Sequence, residues 1–255
     1  MSSILMPSVS AMEVEAALRP TAERRIAAML YGSHARKGNE AGSDVDVLEL
    51  VADSPAPYAV GEINVTQYTP SHLGAMGQRG SLFVLHLRTD GVTISDSTGA
   101  LQTALDQYRE PASYEPIWRQ LSIVAGAVNP RAEDADRYAS GLARLGLYAL
   151  RTAIYIIAIE GGAACFDVDI AAERMSVPGL AKVLKWRRRT EFSLADVAVL
   201  SGLLARVLPI AIRTDFRSIV AYAVANSNTP DLAALFTTVL GGGEIEYSAL
   251  SVPPF

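Results

Sequence analysis

The stretch LYGSHARKGNEAGSDVDVLEL, residues 30–50, sets the reading of everything around it. The apolar run IAAMLY (26–31) stops at Gly32 and reads as a first strand. After a Gly-Ser turn, SDVDVLELV (43–51) alternates polar and apolar and reads as a second. Successive strand side chains point to opposite faces, so Asp44 and Asp46 share one face while Val45 and Val47 enter a core on the other. Two like charges side by side repel, and a sequence serving stability alone avoids them. A cation between them removes the penalty. Hard divalent ions such as Mg²⁺ bind one or two carboxylates and take water and phosphate oxygens as their other ligands.

The turn upstream suits that chemistry. Gly32 allows close approach of backbone to a ligand, and the N–H groups of Ser33 and its successors can open a helix aimed at phosphate. Arg36 and Lys37 add positive charge nearby. A lone DxD or a lone Gly-Ser pair is common; the two together, with apolar residues interleaved, form a far more restrictive pattern. They describe a phosphate cradle beside a metal platform, as nucleotide chemistry requires.

Around this core the pattern predicts a short helix at 11–18 interrupted by Pro20, a helical turn at 21–27 and a Pro-containing loop at 53–59. A third strand follows at 62–69 (EINVTQYT), then a helix through 70–88 and a short strand at 91–96. Beyond residue 100 a helical period dominates, at 100–127, 132–160, 167–175, 177–188, 193–224 and 230–240. The expected class is α+β: a mixed-sheet domain over 1–99, an all-helical bundle over 100–240 and an irregular tail over 241–255.

Composition bounds the function. The chain has 255 residues, half of them hydrophobic, and a net charge of −5, which argues against broad non-specific nucleic-acid binding. Residues 1–110 hold 8 Lys+Arg against 13 Asp+Glu, and 111–255 hold 14 against 14, so the acidity lies in the half that carries the aspartates. The single cysteine, Cys165, leaves no internal disulfide or zinc cluster, and a reducing cytoplasm is the natural compartment. The N-terminus lacks a basic region before its apolar patch and does not read as a signal peptide. The apolar stretch 142–162 contains Arg144, Arg151 and Glu160, and is expected to be a buried helix and not a membrane span.

Gly32-Ser33-His34-Ala35-Arg36-Lys37-Gly38 followed by Ser43-Asp44-Val45-Asp46-Val47 resembles the signature of the DNA polymerase β-like nucleotidyltransferase superfamily. It is especially similar to the small bacterial branch with the minimal and aminoglycoside nucleotidyltransferases. The resemblance covers about residues 26–70. It implies an enzyme that uses Mg²⁺, or Mn²⁺, to move a nucleoside monophosphate from an NTP to an acceptor hydroxyl on a small molecule, a protein or an RNA end, releasing pyrophosphate. Carried over, Gly32, Ser33 and Arg36 hold phosphate, and Asp44 and Asp46 are the catalytic, metal-binding carboxylates. The family places a third carboxylate on the neighbouring strand, and here that position is Asn64. Asparagine offers a neutral oxygen but no charge and no base. Glu62, on the same face one pleat away, is the candidate substitute, so an altered metal site is expected.

Two further readings follow. Asn64 keeps open a degenerate relative that binds a nucleotide, or acts through partners as a regulatory or toxin–antitoxin-type module. The run KVLKWRRR (182–189) sets five basic residues around Trp186. It reads either as a solvated helix C-terminus or as a face that contacts a triphosphate or nucleic acid, with Lys185 and Arg188 among the residues placed to do so.

Overall fold

In the computed structural model the described residues are 11–36 and 44–241, and they divide into two compact units between Pro111 and Ala112. The class is α+β. In the first unit, β1 (Arg25–Tyr31), β2 (Val45–Val51), β3 (Tyr58–Val60), β4 (Ile63–Tyr68) and β5 (Val92–Ser95) form one sheet in the order β3-β4-β2-β1-β5. The sheet is mixed: β1 and β2 pair antiparallel, β2 and β4 parallel. Helix α1 (Ala11–Ala17) covers one face, where Val14, Ala17 and Leu18 pack with Ala28, Leu30, Val45, Val47 and Val65. Helices α3 (Pro70–Gln78), α4 (Leu82–Asp90) and α5 (Ala100–Asp106) cover the other, through Leu73, Met76, Val84, Leu87 and Leu101 on Met29, Leu48 and Leu50. Burial on both faces explains why β1 reads as a continuous apolar run, whereas β2 departs from it at Asp46 and Glu49.

Glu49 is the exception inside this core, fully buried on the α1 side. Its carboxylate accepts from Thr21 Oγ1 at 2.6 Å, Gln67 Nε2 at 2.7 Å, Tyr58 Oη at 3.3 Å and Arg25 Nη1 at 3.5 Å. Gln67 Oε1 in turn accepts from the Ala56 N–H at 2.9 Å and from Arg24 Nη2 at 3.2 Å. One carboxylate thus ties the segment after α1 to β1, β3 and β4, and its hydrogen bonds offset the cost of removing it from water.

Several boundaries move from the sequence expectation, each for a local reason. The helical turn expected at 21–27 is a 3₁₀ turn at Arg19–Thr21 with Pro20 in its first turn, and Arg25 already pairs with Val51 in the sheet. Part of the expected loop at 53–59 becomes edge strand β3, which leaves Pro55 and Pro57 outside the pairing. The helix expected through 70–88 breaks into α3 and α4 at Gly80, whose φ of +73° is open to glycine. The segment 100–127 divides into α5 and α6 (Glu115–Ala127) around Pro111, and Leu101, Ala104 and Leu105 of α5 pack in the sheet's own cluster. The unit boundary therefore falls after Pro111 and not at 99/100.

In the second unit, α6 and α10 (Leu194–Val207) pack on α7 (Ala139–Glu160). By length and composition the helical stretch Asp136–Glu160 could cross a membrane, but 72% of its apolar window is buried inside the protein, where it serves as the core helix. Helices α8 (Val168–Arg174), α9 (Leu180–Leu184), α11 (Ile219–Asn226) and α12 (Pro230–Leu240) complete the unit. The expected helix 193–224 is two helices, because Leu208 precedes Pro209 and takes extended backbone. The irregular tail expected at 241–255 lies, after Gly241, outside the described residues.

The non-helical segment between α10 and α11 is held from the other end of the unit. Asn129 Nδ2 donates to the Thr214 and Phe216 carbonyls at 3.2 and 3.5 Å, and the Glu133 N–H donates to the Arg217 carbonyl at 2.8 Å. Asp134 accepts from the Ile219 N–H at 2.7 Å and from Ser218 Oγ at 2.8 Å, capping the start of α11. Burial would raise the Asp134 carboxyl's pKa, but these donors outweigh it and hold it below the ordinary carboxylate range.

Candidate functional site

The sheet register assembles the aspartate site. Across β1, β2 and β4, Tyr31 faces Asp46 and Asp46 faces Asn64. One pleat toward the strand ends, Asp44 and Glu62 stand just before the paired Val45 and Ile63, and the Val45 N–H donates to the Glu62 carbonyl at 2.8 Å. Asp44, Glu62 and Asn64 are exposed and Asp46 is half-buried. Val45 and Val47 are fully buried on the opposite face. That face assignment follows from strand alternation alone. Which residue stands beside Asp46 does not: Asn64 arrives there because β2 and β4 are parallel in this register. Neighbouring strands are about 4.8 Å apart, so its amide is the lateral neighbour of the Asp46 carboxylate.

Gly32 completes the arrangement from β1. Its φ is +76°, and a Cβ there would stand 2.7 Å from Asp46 Oδ2. The carboxylate thus lies over the space that any other residue type would fill, and glycine is required both for the backbone and for the room. The turn that follows, α2 (Gly32–Ala35), is a single helical turn whose N-terminus stands at the end of β1. Ser33 is half-buried within it.

Arg36 closes that turn, and its Nη1 donates to Asp90 Oδ2 at 2.9 Å, with His86 Nε2 at 3.3 Å. An ion pair between the turn and the end of α4 is its visible task; a phosphate contact would have to share the guanidinium. Lys37 and Ser43, the remaining flanks of the motif, lie outside the described residues. Tyr31 walls the site on the β1 side. Its ring packs edge-on to Phe83 and His86 at 5.4 and 6.0 Å, and its hydroxyl is 3.3 Å from Thr66 Oγ1. Burial first, and the Asp46 charge second, push the Tyr31 hydroxyl far above its ordinary pKa, so this wall stays protonated and neutral.

Among the described residues, no group of three or more His, Cys, Asp or Glu side chains is placed to hold a metal ion. Glu62 therefore does not complete a trio with Asp44 and Asp46. What the site does offer is two carboxylates and the Asn64 amide, a set that suits an ion taking its remaining ligands from a phosphate-bearing molecule.

No family model and no curated protein matches the sequence. Among solved structures, the chain is similar to a nucleotidyltransferase-like protein from Exiguobacterium sibiricum, with 16% identity and a TM-score of 0.29, over 76% of this chain and 74% of that one. A likeness of that size adds nothing to the reading of the site, which stands on its own residues.

The basic run belongs to the second unit. Lys185 is exposed, with Nζ 3.9 Å from Asp169 Oδ1, and it opens a 3₁₀ turn at Lys185–Arg188; the Arg188 side chain lies outside the described residues. Arg189 is a structural staple. Both terminal nitrogens bond Asp196 at 3.0 Å, and its guanidinium lies over Trp186 and Phe192 at 5.0 and 4.9 Å. Asp196 also forms the capping box of α10 with Ser193. The Arg189 hydrogen bonds first, and the Ser193 N–H next, lower the Asp196 pKa to about 2.

A depressed acid stabilises the fold above its unfolded pKa and ceases to do so as pH falls through the folded value. The contribution of this pair is therefore present above about pH 4, the ordinary carboxylate value, and disappears toward about pH 2. Arg189→Met is expected to cost about 1 kcal/mol at neutral pH. It should also flatten the loss of stability between those limits, followed by Trp186 fluorescence in urea; an acid dependence identical to the parent's would refute the assignment.

Proposed function

We propose that this chain is a Mg²⁺-dependent nucleotidyltransferase that passes a nucleoside monophosphate from an NTP to an acceptor hydroxyl. The observation that carries this reading is the seating of the Asp46 carboxylate over the left-handed Gly32, in register with Asn64 and two residues from Asp44. An ion at this patch would be held by Asp44, Asp46 and the Asn64 oxygen. When bound, such an ion neutralises phosphate charge and lowers the pKa of a coordinated hydroxyl. The chain's own contribution is positional: Gly32 leaves space, Asp46 sets the charge, and Tyr31 stays neutral so that the two aspartates carry the negative potential.

A second reading is favoured by Asn64 alone. With two carboxylates in place of three, the site holds less charge, and a protein that binds NTP without turning it over fits as well.

Incubation with Mg²⁺ and each labelled NTP, with hydroxyl-bearing acceptors of the three classes, separates the two. Pyrophosphate release that disappears in the Asp44→Ala/Asp46→Ala double variant supports the transferase. NTP binding without release, also lost in that variant, supports the second reading. Binding and release both unchanged in the double variant would rule out this site.

A further inference from the structure

A concavity lies wholly within the helical unit. A cavity of about 400 Å³ is bounded by α6, by the non-helical segment before α11 and by α11 itself. That volume is in the range of small-molecule sites, which lie between about 300 and 1,000 Å³. Ala211, Arg213, Asp215 and Phe216 all line it from the segment before α11. This non-helical segment thus brings a cation and an anion, two residues apart, to the edge of one concavity.

Neither charge is used by the fold: among the described residues, Arg213 and Asp215 take part in no ion pair. Two opposite charges facing the same concavity without joining each other are placed to meet the two ends of a dipolar guest.

The segment that carries them is held firmly, although it is neither helix nor strand. Its Thr214, Phe216 and Arg217 carbonyls are the ones bound by Asn129 and Glu133, and Asp134 fixes its exit into α11. Loops fixed on a rigid scaffold are the usual carriers of binding groups. The aromatic wall is equally set. Phe216 and Tyr222 stack with centroids 4.1 Å apart, and Tyr222 Oη donates to the Ile123 carbonyl at 3.0 Å. Gly126 makes that crossing possible, since a Cβ there would collide with the Tyr222 hydroxyl. Burial first raises that hydroxyl's pKa, with Arg213 lowering it and Asp215 raising it in smaller measure.

We infer that this cavity binds a small zwitterion of the α-amino-acid class, with its carboxylate on Arg213, its ammonium on Asp215 and its side chain toward the Phe216–Tyr222 wall. Arginine meets a carboxylate through paired donors, and a carboxylate meets an ammonium as a charge-assisted acceptor, so each contact contributes about tenfold in affinity. Neither the nucleotide nor the aspartate site enters into this assignment, and it stands or falls independently of them.

The test uses the full chain and calorimetric titration with L-phenylalanine, phenylpropionate and phenethylamine. These probes carry both charges, only the anion and only the cation. Phenylalanine is expected to bind at millimolar or tighter affinity, with each single-charge analogue about tenfold weaker. Arg213→Gln should weaken phenylalanine and phenylpropionate but leave phenethylamine unchanged; Asp215→Asn should weaken phenylalanine and phenethylamine but leave phenylpropionate unchanged. Both positions are exposed, and an unchanged urea midpoint confirms that the variants fold. Absence of phenylalanine binding overturns the inference, and so does equal affinity for either analogue or an affinity that neither substitution alters.

Discussion

Glu49→Ala is expected to destabilise the first unit by about 3–5 kcal/mol, the cost of breaking a buried, fully partnered charge. The substitution removes the one acceptor shared by Thr21, Arg25, Tyr58 and Gln67. Arg25 retains some contact with water, its side chain being 22% exposed, so most of the loss falls on Thr21 and Gln67 inside the core. A cavity the size of the missing side chain adds to it. Glu49→Gln should cost about 1–2 kcal/mol, because it keeps one acceptor oxygen but turns an N–H₂ toward groups that are themselves donors. Both tryptophans, Trp118 and Trp186, lie in the second unit, so their fluorescence reports on the other half of the chain. Hydrogen exchange of the β2 amides in rising urea is the suitable measurement. A loss below about 1 kcal/mol for the alanine variant would mean that the hub is dispensable.

The second large effect concerns Gly32, and it rests on the proposed transferase reading. In Gly32→Ala the new Cβ meets Asp46 Oδ2 at 2.7 Å, and the left-handed backbone costs a further 1–2 kcal/mol, approximately. The carboxylate can rotate away, so the protein still folds, but its oxygen leaves the position beside Asn64. A misplacement of about 1 Å in a reacting assembly costs about 10²-fold in rate. Nucleotidyl transfer should fall by about that factor in Gly32→Ala and by about 10³-fold in Asp46→Ala, which removes the charge outright. Mg²⁺ titration adds a diagnostic: Gly32→Ala should require more Mg²⁺ for half-maximal transfer. Asn64→Asp, by contrast, should require less, since it adds a carboxylate in register with Asp46. If Gly32→Ala transferred nucleotide at the parent rate, the close approach of glycine and carboxylate would be a packing detail only.

The sequence made part of this architecture legible because the signals were local. Alternation in SDVDVLELV placed Asp44 and Asp46 on one face and Val45 and Val47 on the other, and Gly32 marked the end of β1. The helical period after residue 100 separated a helical half from a mixed-sheet half. Where local and tertiary preferences disagreed, tertiary pairing prevailed. Residues 25–27 joined the sheet instead of a helical turn, and α5 joined the sheet's core instead of the helical unit. The breaks at Gly80 and at Leu208–Pro209 depended on a backbone angle that a periodic reading passes over.

The candidate site divides the same way. Its residue types were visible, but their adjacency was not. Asn64 beside Asp46 follows from parallel strand register, and Arg36 against Asp90 follows from α4 returning to the turn, 54 residues along the chain. Glu49 looked like one more polar position in an alternating strand; only helix α1 on that face made it a buried hub. Arg213 and Asp215, two residues apart in an unremarkable stretch, gained meaning when Asn129 and Asp134 fixed their backbone against α6 and α11. The sequence by itself determined the two-part α+β plan and the shared face of its aspartates, because period and alternation are properties of consecutive residues. Tertiary structure decided which side chains stand beside them, because register and loop anchoring depend on contacts between residues distant in the chain.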